Sequence, residues 1–220
     1  MFLNDIQLLD ESDKTNIYTD AICITEMFLW YLGKKFKTED CKAIFFHCGD
    51  YENVRVIKEE QEGYDVLVPK NSYDVQLPLD LSKYNKATDF GKKKILTLAL
   101  QRGMTYLAES KDWDIKKVDQ SIERMYEKKL THTFQAWKGK LSPDKRKLAY
   151  PLVHLDLNEF KVSLIVEDRR KQIIATKEIA VTKPDLDELG YYMKKLEWLS
   201  DSEVILYTRA HKKTYNSILL

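Results

Sequence analysis

The strongest constraint on this chain is the way its hydrophobic pattern changes along the sequence. Ile17, Ala21, Ile24, Phe28, Tyr31 and Leu32 recur three or four residues apart, which predicts a helix over residues 15–33. Gly33 and the lysines after it suit its carboxyl end. Around it the apolar runs are short and bounded by turn residues. FLNDIQLL at the start, then KAIFFHC (42–48), NVRVIKE (53–59), YDVLVP (64–69) and YDVQLPLDL (73–81), predict strands, with Asp50 and Glu62-Gly63 in the turns. Pro78 suggests an edge strand or a bend. The first part of the chain therefore predicts a small meander with one helix against it.

Two further helices follow. Asp89 is the expected cap of a helix over about 90–109, in which Ile95, Leu96, Leu98, Ala99, Leu100 and Leu107 make a wide apolar stripe. Asp114 caps a second, narrower one, with Ile115, Val118, Ile122, Met125, Tyr126 and Lys129 at the spacing of one face. The short link SKDWD favours an antiparallel pair. Beyond it, residues 131–141, 147–157, 161–168 and 172–181 predict four strands with tight turns at SPDK, NE and RRK. A helix is expected at 185–199, carrying Leu186, Leu189, Met193 and Leu196, with Asp185 and Glu188 at capping-box spacing. A buried strand is expected at 203–208. The fold class is α+β, with antiparallel meander sheets packed against helices. The expected divisions are an acidic sheet-and-helix lobe over 1–82, a helical pair over 83–130 and an antiparallel sheet with one helix over 131–220, as separate lobes or as one compact domain.

With 44% hydrophobic and 32% charged residues over 220 positions, the chain has the composition of a globular protein. No apolar run is long enough to span a bilayer, and MFLNDIQLLDESDK lacks the layout of a signal peptide. Three cysteines, Cys23, Cys41 and Cys48, without framework spacing, suit a reduced, cytoplasmic setting. The net charge of +1 conceals a division. Residues 1–82 hold 16 acidic and 8 basic side chains, a net of −8, and the remainder carries +9. An acidic half suits a basic partner.

The stretch SPDKRKLAYPLVHLDLNEFK (142–161) has the Pro-Asp…Glu-x-Lys order of a class of metal-dependent nucleases, with Asp144, Glu159 and Lys161 in the functional places. Such chemistry needs these groups to converge on one ion. Here they flank a predicted strand, and a dozen residues at strand rise separate its ends by roughly 40 Å. SPDK and NEFK then read as two turns. Between them, His154 and Asp156 share a strand face. Cys41, His47 and Cys48 do not make a metal site, because adjacent strand residues point to opposite faces. No Gly-x-Ser-x-Gly elbow and no glycine-rich phosphate loop occurs. Lysine clusters such as KKK (92–94), KRK (145–147) and RRK (169–171) are not interleaved with aromatics and read as solvated surface. No catalytic, metal-binding or cofactor-binding residue is assigned, and the chain is not expected to be an enzyme.

Two resemblances follow from particular residues. The order strand, strand, strand, helix, strand from Leu152 to Thr208, with DELGYYMKKLEWLSDSEVILYT (187–208), resembles part of the ribonuclease H fold. That resemblance implies metal-sharing carboxylates at Asp156 and Glu188, with the third position falling near Arg209, a cation that ligates no metal. It supplies the alternative reading, a nucleic-acid-binding or nuclease-like protein with a degenerate ribonuclease H-like domain. YDVQLPLDLSKYNKATDFGKKKILTLALQRGMTYLAESKDWD (73–114) resembles small bacterial proteins encoded beside toxins. It implies an immunity protein of the cytosol that blocks a basic toxin domain by shape and charge. The residues expected to meet the partner are Asp50, Glu52, Glu59, Glu60, Glu62, Asp65 and Asp74. Tyr51, Tyr73, Tyr84 and Tyr215, at loop-like places, would suit such an interface.

Overall fold

Residues 1–10, 15–60, 71–185, 190–209 and 215–220 are described by a computed structural model. The protein is of the α+β class, and the chain divides into two units, Met1–His132 and Thr133–Leu220. The helical pair expected over 83–130 does not stand by itself. It belongs to the first unit, because its second helix packs on the first helix of the chain as well as on its own neighbour.

In the first unit, strand β1 (Asp5–Asp10) leads to helix α1 (Ile17–Leu32) and then to β2 (Ala43–Gly49), β3 (Arg55–Glu60) and β4 (Ser72–Pro78). The sheet order is β1-β2-β4-β3. β1 and β2 are parallel, β2 and β4 are parallel, and only β3 runs antiparallel, along β4. The expected meander is thus a mixed sheet. Joining β1 to a parallel neighbour requires a crossover, which α1 provides. β4 lies inside the sheet, not at its edge, and Pro78 simply closes it, where no further ladder N–H is needed. The run expected as a strand at 64–69 lies outside the described residues.

Alternation decides which face is covered. Ile6, Leu8, Ile44, Phe46, Cys48, Tyr73, Val75 and Leu77 are buried, whereas Gln7, Phe45, His47, Asp74 and Gln76 on the opposite face are half-buried. Three helices complete the unit: α2 (Leu81–Asn85), α3 (Asp89–Ser110) and α4 (Ile115–Glu127). α1, α3 and α4 pack on one another over the buried face. Thr88, one residue before the expected Asp89, caps α3 by accepting from the Gly91 N–H, and Asp114 caps α4 through the Lys117 N–H. α4 buries Val118, Ser121, Ile122 and Met125. Trp113, between the helices, stands edge-on to Phe36 and stacks on Tyr73, with centroids 6.1 and 6.2 Å away.

The second unit holds β5 (His132–Gln135, whose first residue closes the first unit), β6 (Lys140–Leu141), β7 (Lys147–Leu155), β8 (Phe160–Asp168) and β9 (Ile173–Thr182), in the order β5-β7-β8-β9 with β6 also on β7. The antiparallel meander expected from β7 to β9 is present. β10 (Lys195–Trp198), β11 (Glu203–Tyr207) and β12 (Tyr215–Leu219) form a separate antiparallel sheet. The helix expected over 185–199 is therefore wrong over 193–199, about its last two turns, where Lys195–Trp198 pairs with β11. Among the described residues of that stretch Gly190–Tyr192 are helical, and 186–189 lie outside the described residues. β11 joins β10 and β12, while β5 takes the side of β7 away from β8. Among the described residues no helix is long and apolar enough to cross a membrane.

Of the described glycines in the first unit, Gly103 of α3 has the least room for a side chain. A Cβ there would lie 2.4 Å from Cε1 of Phe46 on β2. Gly103→Ala should lower stability by about 1–3 kcal/mol through this overlap, read as a lower urea midpoint at unchanged m-value. An unchanged midpoint would show that α3 does not lie so close to β2.

Candidate functional site

α3 carries two stripes. Leu96, Leu100, Met104 and Leu107 are fully buried. Gly91, Ile95, Leu98, Arg102, Tyr106 and Glu109 repeat the same helical spacing on another side and form one wall of a groove. Leu98 is 56% exposed, a large apolar side chain at the groove's centre. The facing wall comes from the chain after β2 (Asp50–Val54), the chain after β4 (Leu79–Lys83) and the link into α3 (Lys86–Thr88). Three adjoining hollows of about 990, 750 and 820 Å³ follow one another along α3, and Leu98 lines each. From Gly91 to Glu109 the helix rises about 27 Å.

The position follows from the topology. β2 and β4 are parallel neighbours whose carboxyl ends, Gly49 and Pro78, open into the middle hollow. Open α/β sheets place their binding sites at that end. The charges are not uniform. One end holds Glu52 and Glu109 with Arg102, the middle Asp50, Asp80, Lys83 and Arg102, and the other end Lys83, Lys86 and Lys94 with Asp80.

A buried polar cluster anchors the lysine end. Asp20 of α1 is 6% exposed, and its Oδ2 accepts from the Tyr84 hydroxyl at 2.5 Å and from Lys92 Nζ at 3.1 Å. Tyr84 is fully buried on α2, and Lys92 lies in the first turn of α3. Burial, and then the bond to Asp20, push the Tyr84 phenol well above its ordinary value. A buried carboxylate needs such donors, so the cluster fastens α2 and the start of α3 to α1.

The expected partner residues divide into groups. Asp50 and Glu52 are exposed and lie on the groove's rim. Asp74 lies apart, on the sheet face away from the helices, with Oδ1 2.7 Å from His47 Nε2. Glu59 and Glu60 are on β3, while Glu62 and Asp65 lie outside the described residues. Tyr51 lines the groove, whereas Tyr73 and Tyr84 are core residues, not the surface ones expected.

The other candidates keep apart. Asp144, in the turn before β7, accepts from Ser142 Oγ and Arg146 N, and these bonds hold its carboxyl below the usual range. Lys161 pairs with Glu178 at 2.6 Å, a bond that raises its pKa, and Glu159 sits in the turn at the far end of β7. His154 Nδ1 is 2.9 Å from Thr133 Oγ1, and Asp156 accepts from the Leu157 N–H. Glu188 lies outside the described residues. His47 and Cys48 point to opposite sheet faces, as alternation requires. On β9, Ile173, Ile174 and Val181 are exposed, but Lys177 Nζ reaches the Ser217 carbonyl of β12 and Glu178 adds a charge, which makes β9 a guarded edge.

Residue-by-residue reading of the sequence missed the groove and the Asp20 cluster. One signal was present: the apolar stripe of α3 is too wide for one buried face, and its surplus, Leu98 with Ile95, lines the groove. No protein-family model matches this chain, and no curated protein matches it.

Cys41 and Cys48 make the first unit sensitive to alkali. Burial is the chief cause that pushes both thiols from the ordinary 9.0 up to about 12. Unfolded thiols ionise first, so this contribution is complete below pH 9.0 and is lost as pH rises toward about 12. The urea midpoint should fall with pH above about 9, and less steeply in the Cys41→Ala/Cys48→Ala variant. Parallel pH profiles would contradict this origin.

Proposed function

We propose that this chain is a protein-binding module, an immunity protein of the cytosol that neutralises a bacterial toxin by stoichiometric binding. The observation that carries this reading is the groove along α3, with Leu98 more than half exposed at its centre and the acidic Asp50 and Glu52 on its rim. Single exposed apolar side chains are ordinary on proteins. One at the centre of a hollow about 27 Å long, with charge around it, has the layout of an interface: an apolar middle and a polar rim.

The charge division supports the same reading. Residues 1–82 carry a net of −8, and this part supplies the acidic Asp50, Glu52 and Asp80 of the wall facing α3. A basic toxin domain would be drawn to it at long range, which speeds encounter more than it tightens the complex. Binding then blocks the toxin by occupying its surface, and the module performs no chemical step.

Co-expression with the product of the neighbouring gene tests the reading. It should restore growth, and the two proteins should purify as a 1:1 complex. Asp50→Lys/Glu52→Lys should slow association by about tenfold at low ionic strength, with the difference shrinking as salt is added. Absence of both protection and complex would refute the reading.

A further inference from the structure

The groove's length, walls and charge order narrow down what it holds. Resting on the protein-binding reading, we propose that its occupant is an amphipathic α-helix of the partner, acidic at its N-terminal end and basic at its C-terminal end. This helix lies along α3 in the same chain direction.

The length is the first argument. Gly91 to Glu109 spans five helical turns, or about 27 Å, so the matching segment has about 18 residues. That is too long for one small ligand and close to the size of a surface helix.

The walls are the second. An extended peptide binds by adding to a sheet edge, where it finds backbone partners for its N–H and C=O groups. The edges of this sheet are β1 and β3, and no residue of either strand lines the groove. An occupant must therefore satisfy its backbone internally, and an α-helix does so. Its apolar stripe would meet Ile95, Leu98 and Pro78 in the middle of the groove.

The charges are the third. The end near the start of α3 holds Lys83, Lys86 and Lys94 against Asp80, and the other holds Glu52 and Glu109 against Arg102, so the balance is basic at one end and acidic at the other. Helices favour acidic residues in their first turn and basic residues in their last. A helix so charged pairs with both ends of the groove only when it runs in the direction of α3.

Three synthetic helical peptides of about 18 residues with one common Leu/Ala stripe test this. One is acidic at its N-terminal end and basic at its C-terminal end, one carries only lysine charges, and one only glutamate. Fluorescence anisotropy with the full chain should show the first binding at least about tenfold tighter than the others. Leu98→Asp, at an exposed position, should weaken it with unchanged melting. Lys86→Glu/Lys94→Glu should shift the preference to the lysine peptide. Ile173→Asp on β9 should have no effect.

Equal affinity for the three peptides, binding of none, or indifference to Leu98→Asp would overturn the proposal. So would self-association of the chain that Leu98→Asp abolishes, which would assign the groove to a second copy. The two readings fail separately. If the Leu98→Asp chain still forms the 1:1 complex and protects cells, the groove assignment falls while the immunity reading stands. If the unmodified chain forms no complex, the immunity reading itself falls.

Discussion

At Gly103, α3 comes so close to the Phe46 ring on β2 that hydrogen is the only side chain that fits between them. This contact fixes the depth of the helix on the sheet. Leu96, Leu100, Met104 and Leu107 are then fully buried. A helix held this low brings its next stripe level with the chain segments leaving β2 and β4. The groove is thus a consequence of packing: one wall is α3, and the other is the pair of connections that parallel β2 and β4 send out at their carboxyl ends.

The lysine end depends on a second constraint. Asp20 is buried on α1, and Tyr84 and Lys92 both donate to it. Loss of either donor would strand a carboxylate in a poorly solvated place, which costs far more than an ordinary surface hydrogen bond. Three helices are therefore tied at one oxygen. The α2–α3 connection, which carries Lys86, leaves this point with little freedom. Rigidity of this kind lowers the ordering cost of binding.

Much of this was legible in the sequence, and the remainder fails for identifiable reasons. The 3–4 spacing in α1 and α4 and the capping aspartate at 114 state local preferences that the fold follows. Strand pairing is not local. Nothing in AIFFHCG or SYDVQLP says that they lie parallel, because the crossover and the neighbouring strand decide it. At 195–198, Leu196 fits the helical stripe begun by Leu186, Leu189 and Met193, but KLEW also fits a strand, and pairing with β11 wins. The groove was half legible. Leu98 was visible as part of a stripe too wide to bury, while the wall opposite it comes from segments ten or more residues away in sequence. Asp50 and Glu52 were singled out from charge alone and lie on the groove's rim, whereas Asp74 was grouped with them although the fold turns it to another face and gives it His47.

Hydrogen exchange on the chain, alone and with the neighbouring gene's product, tests the central claim most directly. Binding in the groove predicts slower exchange in the chain after β2, across residues 79–88 and along α3, with little change on β9. Protection confined to β7–β9, or to the sheet face bearing His47 and Asp74, would contradict it.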